Sequence, residues 1–390
     1  MPRHPSVSQA AGDLPASIFA RLVERLASHS GAVFPFHLGD THLLPPVRLE
    51  SLDFGSAGAL YTYAPPAGDP HLIDAVVRKL AVKNGISVAP SAIQITAGAT
   101  HAFACALRLL CDPGDEVLLL APYWPLIRGN VLAVGARPVE VPFTSELYQG
   151  ADPAELLARR VTKRTAAIYV TTPNNPDGKV LDARALEAVA EVAVSAGLWV
   201  LADEVYEDYP FDGRAHLSIA TLPGLAERTL SVYSFSKSYG LAGLRVGYVA
   251  GPEGAITILR RLANHSIYNV ARAMQHAARA ALEGGDAYLA AARAAYTEAR
   301  GLTVESLARA GVPCHVPEGG SYVFLDVGGF ERPGRMPVLE SLAAGGVLLA
   351  PGDAFGPSYA SWARLCYTAV PRERLVAGLV ALEAILARLR

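Results

Sequence analysis

Apolar positions along this chain fall into two rhythms that alternate. Compact apolar runs at Glu116–Leu120, Val139–Val141, Ala166–Val170, Leu198–Ala202 and Thr229–Ser234 read as buried strands. Between and around them, apolar residues recur at helical spacing. Ile18, Leu22 and Leu26 predict an amphipathic helix over Pro15–Ser28, opened by Pro15. Ile73, Val76, Val77 and Leu80 predict one over Leu72–Lys83. Gln94–Cys111 reads as strand, tight turn at Gly98, then helix. From about Leu282 long helices dominate, with Ala287–Ala310 almost free of breaks. Turn-then-strand at Pro317–Val327, strand-then-loop at Gly346–Pro357 and a strand over Ser361–Val370 follow. Leu375, Leu379, Leu382, Leu386 and Leu389 predict a closing amphipathic helix over Pro371–Arg390. Met1–Asp13 is polar and is expected to be a mobile arm.

Composition narrows the class. The 390 residues can bury a large core, and two domains are expected. With 51% hydrophobic and 18% charged residues the chain reads as a compact enzyme rather than a disordered or fibrous protein. A formal net charge of −2 supplies no global field for nucleic acid or anionic membrane. Cys105, Cys111, Cys314 and Cys366 lie far apart, without metal-ligand spacing, and read as buried thiols of a reducing compartment. His37 and His42 read as loop histidines facing solvent, since no third ligand stands at useful spacing. No signal-peptide core and no run of membrane-spanning length is present, so a cytoplasmic location is expected.

Candidate chemistry centres on Ser231–Gly247, SVYSFSKSYGLAGLRVG. Lys237 would leave a strand and enter a glycine-rich turn, where an amine held out of bulk water favours its neutral, nucleophilic form. Ser234, Ser236 and Arg245 offer what a phosphate needs. An aldehyde that carries a phosphate points to pyridoxal 5′-phosphate (PLP). A surface lysine and an ordinary buried arginine would fit this stretch equally well.

Other stretches add weak signals. After Gly98, the amides of Ala99 and Thr100 would open a helix, a place that favours an anion. Trp124, in APYWP, could lay its face on a ring, or belong to the core. Asn175, before Pro176, could donate to a phenolate or carboxylate, or form a plain Asn-Pro turn. Asp203 ends a strand, where ligands bind in α/β sheets, and could pair with a pyridinium N–H; Tyr206 could donate to the phenolate. Glu204 and Glu207 fit exposed loop acids. Arg364 lies inside a strand and needs an anion, either a substrate carboxylate or an internal acid.

In chain order these stretches are Gly39, Tyr63, GAT at Gly98–Thr100, PYW at Pro122–Trp124, NNPDG at Asn174–Gly178, DEVY at Asp203–Tyr206, SFSKSYGLAGLRVGY at Ser234–Tyr248 and Arg364. This order resembles the class I/II aminotransferases of PLP fold type I, the aspartate aminotransferase-like family. The resemblance implies an α/β fold: a large domain with a mostly parallel seven-stranded sheet between helices, plus a smaller α+β domain. It implies an N-terminal arm and part of the small domain over 1–50, a large PLP-binding domain over 51–281 and a small C-terminal domain over 282–390. It implies that Lys237 forms the Schiff base and shuttles the proton between Cα and C4′. By the same resemblance Asp203 partners the pyridinium, Tyr206 and Asn175 bond the phenolate, and Trp124 stacks on the ring. Gly98, Ala99, Thr100, Ser234, Ser236 and Arg245 fall in the phosphate cup. Tyr63 matches a tyrosine that reaches the phosphate of a neighbouring subunit, which implies a homodimer. Gly39 lines the substrate cleft beside Asn175, and Arg364 matches the clamp for the substrate carboxylate.

The chain departs from that family's pattern at Gly39-Asp40-Thr41, where Gly-Glu-Pro is usual, and at Leu244, where Trp is often found before the phosphate arginine. Arg128 and Arg272 are candidates for a second, side-chain carboxylate only by nearness to site segments, so a dicarboxylate substrate is not expected. Tyr123, His37, Tyr239, Tyr268 and Tyr322 lean the reading toward neutral or aromatic amino acids. Transamination with a 2-oxo acid by a ping-pong mechanism is the expected reaction. A PLP lyase, such as a cysteine-S-conjugate β-lyase, shares the first steps. A non-catalytic protein on the same scaffold is disfavoured by the intact Lys237, Asp203, Tyr206 and Arg364.

Overall fold

The computed structural model describes residues 7–15, 20–27, 29–52 and 60–390. Among the described residues ten strands form two sheets: β1 (Ile93–Thr96), β2 (Glu116–Leu120), β3 (Arg137–Val141), β4 (Thr165–Thr171), β5 (Trp199–Asp203), β6 (Thr229–Ser234), β7 (Gly247–Ala250), β8 (Tyr322–Asp326), β9 (Ala350–Pro351) and β10 (Trp362–Cys366). The first seven make one sheet in the order β1-β7-β6-β5-β4-β2-β3. All its neighbours run parallel except β7, which is antiparallel to both β1 and β6. The other three form an antiparallel sheet, β8-β10-β9. This is the expected α/β architecture, a mostly parallel seven-stranded sheet with helices plus a smaller antiparallel sheet.

Unbroken apolar runs become strands here because both faces of the large sheet are covered. Alternate side chains of β2 point to opposite faces. Val117 and Leu119 pack with Phe103 and Leu107 of the helix Gly98–Leu110, while Leu118 and Leu120 pack with Leu186 and Val189 of the helix Ala183–Ala196. The smaller sheet turns Val323, Leu325 and Leu365 toward Leu375, Leu379 and Leu382 of the closing helix, Arg372–Leu389. An early segment joins this part: Phe34 bridges to Val347, and Leu22 packs with Ala343 and Leu348.

Several boundaries differ from the sequence reading, for local reasons. The helix expected from Leu72 begins at Pro70, because Asp69 accepts from the amides of His71 and Leu72; such a cap is worth about 1 kcal/mol. At Leu80 the helix loosens into a π-turn that ends at Asn84 before the left-handed Gly85. The helix expected over Pro15–Ser28 is described as Ala20–Leu26; residues 16–19 and 28 lie outside the described set. Of the arm, residues 1–6 lie outside it too, and Gln9–Gly12 form one helical turn capped by Ser8. The strand expected after Gly346 shortens to Ala350–Pro351. Among the described residues no helix is long and apolar enough to cross a membrane.

Candidate active site

The site lies where the central strands of the large sheet end. β5 delivers Asp203, 4% exposed, as its last residue. Its Oδ2 accepts from the Tyr169 hydroxyl at 2.6 Å and its Oδ1 from the Val205 amide at 3.3 Å. Burial pushes this carboxyl up to about 6, against the pull of those two hydrogen bonds.

β6 ends at Ser234, whose hydroxyl accepts from the Ser236 amide at 3.1 Å and caps the turn Phe235–Ser238. That turn carries Lys237, whose Nζ donates to the carbonyl of Gly39. Arg245 comes just before β7, in left-handed backbone at φ 54°, which a non-glycine residue holds only where its surroundings fix it. Its Nη1 donates to Ala242 O at 3.0 Å and to Ser236 Oγ at 3.4 Å. The guanidinium lies against Gly98, φ +74°, where any Cβ would overlap it. Gly98 also opens the helix Gly98–Leu110, whose cap residue Ala97 offers no side-chain acceptor. The first amides of that helix, with Arg245, Ser234 and Ser236, form an anion-binding corner.

Across the cleft, Arg364 from β10 is 7% exposed. Its Nη1 donates to Asn175 Oδ1 at 2.9 Å and its Nη2 to the carbonyl of His37 at 2.8 Å. Its guanidinium lies 4.2 Å from the centre of the Tyr322 ring and 5.0 Å from that of Phe355. Arg364 Nε is buried and has no partner, and no carboxylate pairs with this cation among the described residues. A buried guanidinium held by neutral groups, with a donor left over, is arranged for an anion that arrives from outside.

The walls between these two ends are aromatic. Trp124 lies tilted against Phe103, ring centres 5.6 Å apart. Tyr206 and Tyr322 share a hydrogen bond between their hydroxyls at 2.7 Å, and a Cβ at Gly39 would overlap the Tyr322 hydroxyl. Burial, then Tyr322, keeps the Tyr206 phenol protonated well above its ordinary range.

Thus one cleft of about 270 Å³ gathers Gly39, Ala99, Thr100, Trp124, Asn175, Asp203, Tyr206, Ser234, Ser236, Lys237, Arg245 and Arg364. Gly98 makes room behind its wall. Tyr63 stands apart: it is 77% exposed, its ring centre is 4.6 Å from that of Tyr268, and its carbonyl accepts from Arg272 at 2.6 Å. Of the aromatic residues expected to shape the pocket, only Tyr322 lines it. Tyr123 and Tyr239 are core residues, Tyr268 is half exposed, and His37 contributes its carbonyl behind Arg364. Arg128 and Arg272 do not line the cleft.

Two further expectations are corrected. His42 does not face solvent; it is half-buried, with Nδ1 at 3.0 Å from Thr368 O. Glu204 and Glu207 are buried rather than exposed. Glu204 Oε2 accepts from Ser218 at 2.6 Å and Tyr233 at 2.9 Å and lies 3.0 Å from His216 Nε2. Glu207 pairs with Lys79 and accepts from Asn84. Burial alone would raise Glu204, but His216, Ser218 and Tyr233 together hold it below the usual carboxylate range.

Sequence reasoning also missed Tyr169 and Phe355. Tyr169 was visible only as one hydroxyl in an otherwise apolar run, and Phe355 only as an aromatic in a loop.

Comparison with known proteins gives the family and the fold. The family model for aminotransferase class I and II matches residues 35–382. A probable aspartate/prephenate aminotransferase of Thermus aquaticus is 37% identical over 296 residues, 75% of this chain and 76% of its own. An arginine–pyruvate transaminase of Pseudomonas aeruginosa is 35% identical over 321 residues, 82% of this chain and 81% of its own. The solved structure of aspartate aminotransferase from Thermus thermophilus with maleate superposes with a TM-score of 0.90 at 30% identity, covering 98% of this chain and 100% of that one.

Proposed function

We propose that this chain, which belongs to the aminotransferase class I and II family and is an aminotransferase, works with PLP on neutral or aromatic L-amino acids. The observation that carries this is one cleft with an amine, a buried carboxylate and an anion corner at one end, and an unpaired arginine at the other. When bound, PLP supplies an aldehyde that condenses with amines and a ring that takes up the electron pair of the substrate Cα–H bond.

The donor set fits that group. Arg245, Ser234, Ser236 and the amides of Ala99 and Thr100 would bind the phosphate, a part that does not react, so this binding would serve orientation. Asp203 would accept the ring N–H, Trp124 would cover the ring face, and Tyr206 and Asn175 would donate to the phenolate. Lys237 would hold the aldehyde carbon through its amine. Arg364 and Asn175 then hold the substrate carboxylate, which fixes the direction of the Cα–H bond. The amine of Lys237 would take that proton from Cα as general base and deliver it to C4′. The amino donor's product leaves before the 2-oxo acid binds, in ping-pong order.

The substrate class follows from the cations. Lys237, Arg245 and Arg364 are the cleft's cationic residues among the described ones, and each already has a task. None remains for a second carboxylate. Tyr63, exposed on its own subunit, serves the phosphate of a partner in a homodimer. The domain division at residues 50 and 281 and a cytoplasmic location complete the proposal.

The test is turnover of an aromatic amino acid with and without a 2-oxo acid, after borohydride labelling of a parallel sample. Reduced cofactor on Lys237 and turnover only with the acceptor are expected. A label elsewhere, or sustained turnover without acceptor, refutes the reading.

A further inference from the structure

Tyr169 sits in β4 between Ile168 and Val170, fully buried, with its ring edge-on to Phe103 at 5.7 Å. For packing alone phenylalanine would serve as well, so the hydroxyl is what needs a reason. β4 pairs with β5 so that Thr171 lies opposite Asp203. Two residues earlier, Tyr169 is the diagonal neighbour on the same face, within reach of a long side chain. Its hydroxyl donates to Asp203 Oδ2 at 2.6 Å, a short, charge-assisted geometry.

We infer that Tyr169 is a positioning residue for Asp203: its hydroxyl fixes the carboxylate and keeps it ionised, so that the carboxylate meets the cofactor's ring nitrogen as an anion. This rests on the PLP reading given above. The surroundings make such help necessary. From β6 the residue opposite Asp203 is the uncharged Val232. Glu204, next along the chain, carries a like charge and opposes ionisation. Tyr206 and Lys237 line the cleft beside it. Burial acts in the same sense as Glu204, and the Tyr169 hydrogen bond is the largest opposing influence. Tyr169 itself is held protonated by burial and by Asp203, so its proton stays on the phenol and the hydrogen bond keeps one direction.

The test compares wild type with Tyr169→Phe, first as apoprotein. With ¹³C-carboxyl aspartate, and with Asp203→Asn to assign the signal, the Asp203 titration midpoint is expected to rise by about one pH unit in Tyr169→Phe. PLP affinity is then expected to fall about fivefold near pH 6 and to stay within about twofold of wild type near pH 8.5. A merely structural role would weaken binding equally at both. An unmoved midpoint, or a pH-independent loss, overturns the inference. Failure of wild type to bind PLP at all would sink the functional reading, and the apoprotein titration would still decide the role of Tyr169. If Tyr169→Phe does not fold, 3-fluorotyrosine at position 169, a stronger donor, is expected to lower the midpoint; no change there overturns the inference.

Discussion

Replacing Arg364 by lysine keeps the charge and removes the fork. Arg364 reaches Asn175 and the His37 carbonyl through two different nitrogens and leaves Nε over, while its guanidinium carbon lies 4.2 Å from the ring centre of Tyr322 and 5.0 Å from that of Phe355. A lysine ammonium has no plane to stack and cannot hold Asn175, the His37 carbonyl and both oxygens of a carboxylate in fixed directions. One charge-assisted hydrogen bond to the carboxylate is therefore lost, about 1.5–3 kcal/mol, or roughly 10- to 150-fold in affinity. The assay is inhibition by 3-phenylpropionate, which carries the carboxylate and an aromatic ring and has no amine to react. Its Ki is expected to rise about 30-fold in Arg364→Lys, near the middle of that range. PLP affinity should stay within about threefold, because the anion corner around Arg245 is at the other end of the cleft. A Ki unchanged within threefold, or a parallel loss of cofactor, would refute the assignment of Arg364 to the substrate.

Three other outcomes are expected. Gly98→Ala puts a methyl group into the Arg245 guanidinium and an alanine at positive φ; binding of PLP should weaken by about 10- to 100-fold while the apoprotein remains folded, as checked by fluorescence titration and circular dichroism. Asp203→Asn should stabilise the apoprotein at pH 7.5. A carboxyl raised from 3.8 to about 6 binds its proton more tightly folded than unfolded, so its ionisation at neutral pH opposes folding by up to about 3 kcal/mol, and the difference should vanish as pH falls below about 4. Urea titrations at pH 7.5 and pH 4 would show it, and equal stability of the two proteins at pH 7.5 would contradict it. Tyr63→Phe should weaken PLP binding several-fold in a protein that sediments as a dimer; full affinity, or full activity in a monomer, would exclude its role across subunits.

How much of this was legible beforehand differs by residue, with a physical pattern. β2 and β6 end where the apolar runs end, because strands covered on both faces leave a mark at every position. Lys237, Asp203 and Asn175 were legible because each follows a strand at a local signal such as Asn-Pro or an acid after an apolar run. Tyr169 was not, because its partner is set by the register of β4 on β5, and register is a property of two segments at once. Glu204 and Glu207 were misplaced for the same kind of reason. A carboxylate is buried only with donors around it, and Lys79, Asn84, His216 and Tyr233 come from other parts of the chain. Tyr123 and Tyr239 were drawn toward the pocket by nearness in sequence, whereas their rings turn into the core.

The reversed direction of β7 has a geometrical effect on the reaction centre. Gly247 pairs with Ser234 on one side and with Thr96 on the other, so the chain leaves β6, makes its excursion and re-enters the sheet at the same rim. A parallel β7 would have required a crossover to the far rim, and Arg245 would then stand a full strand length from Lys237. The antiparallel return instead makes the amine and the guanidinium two points on one short loop pinned at both feet. Any sliding of that loop would carry both together, so the Lys237 amine and the Arg245 guanidinium are tied to each other by a single covalent span.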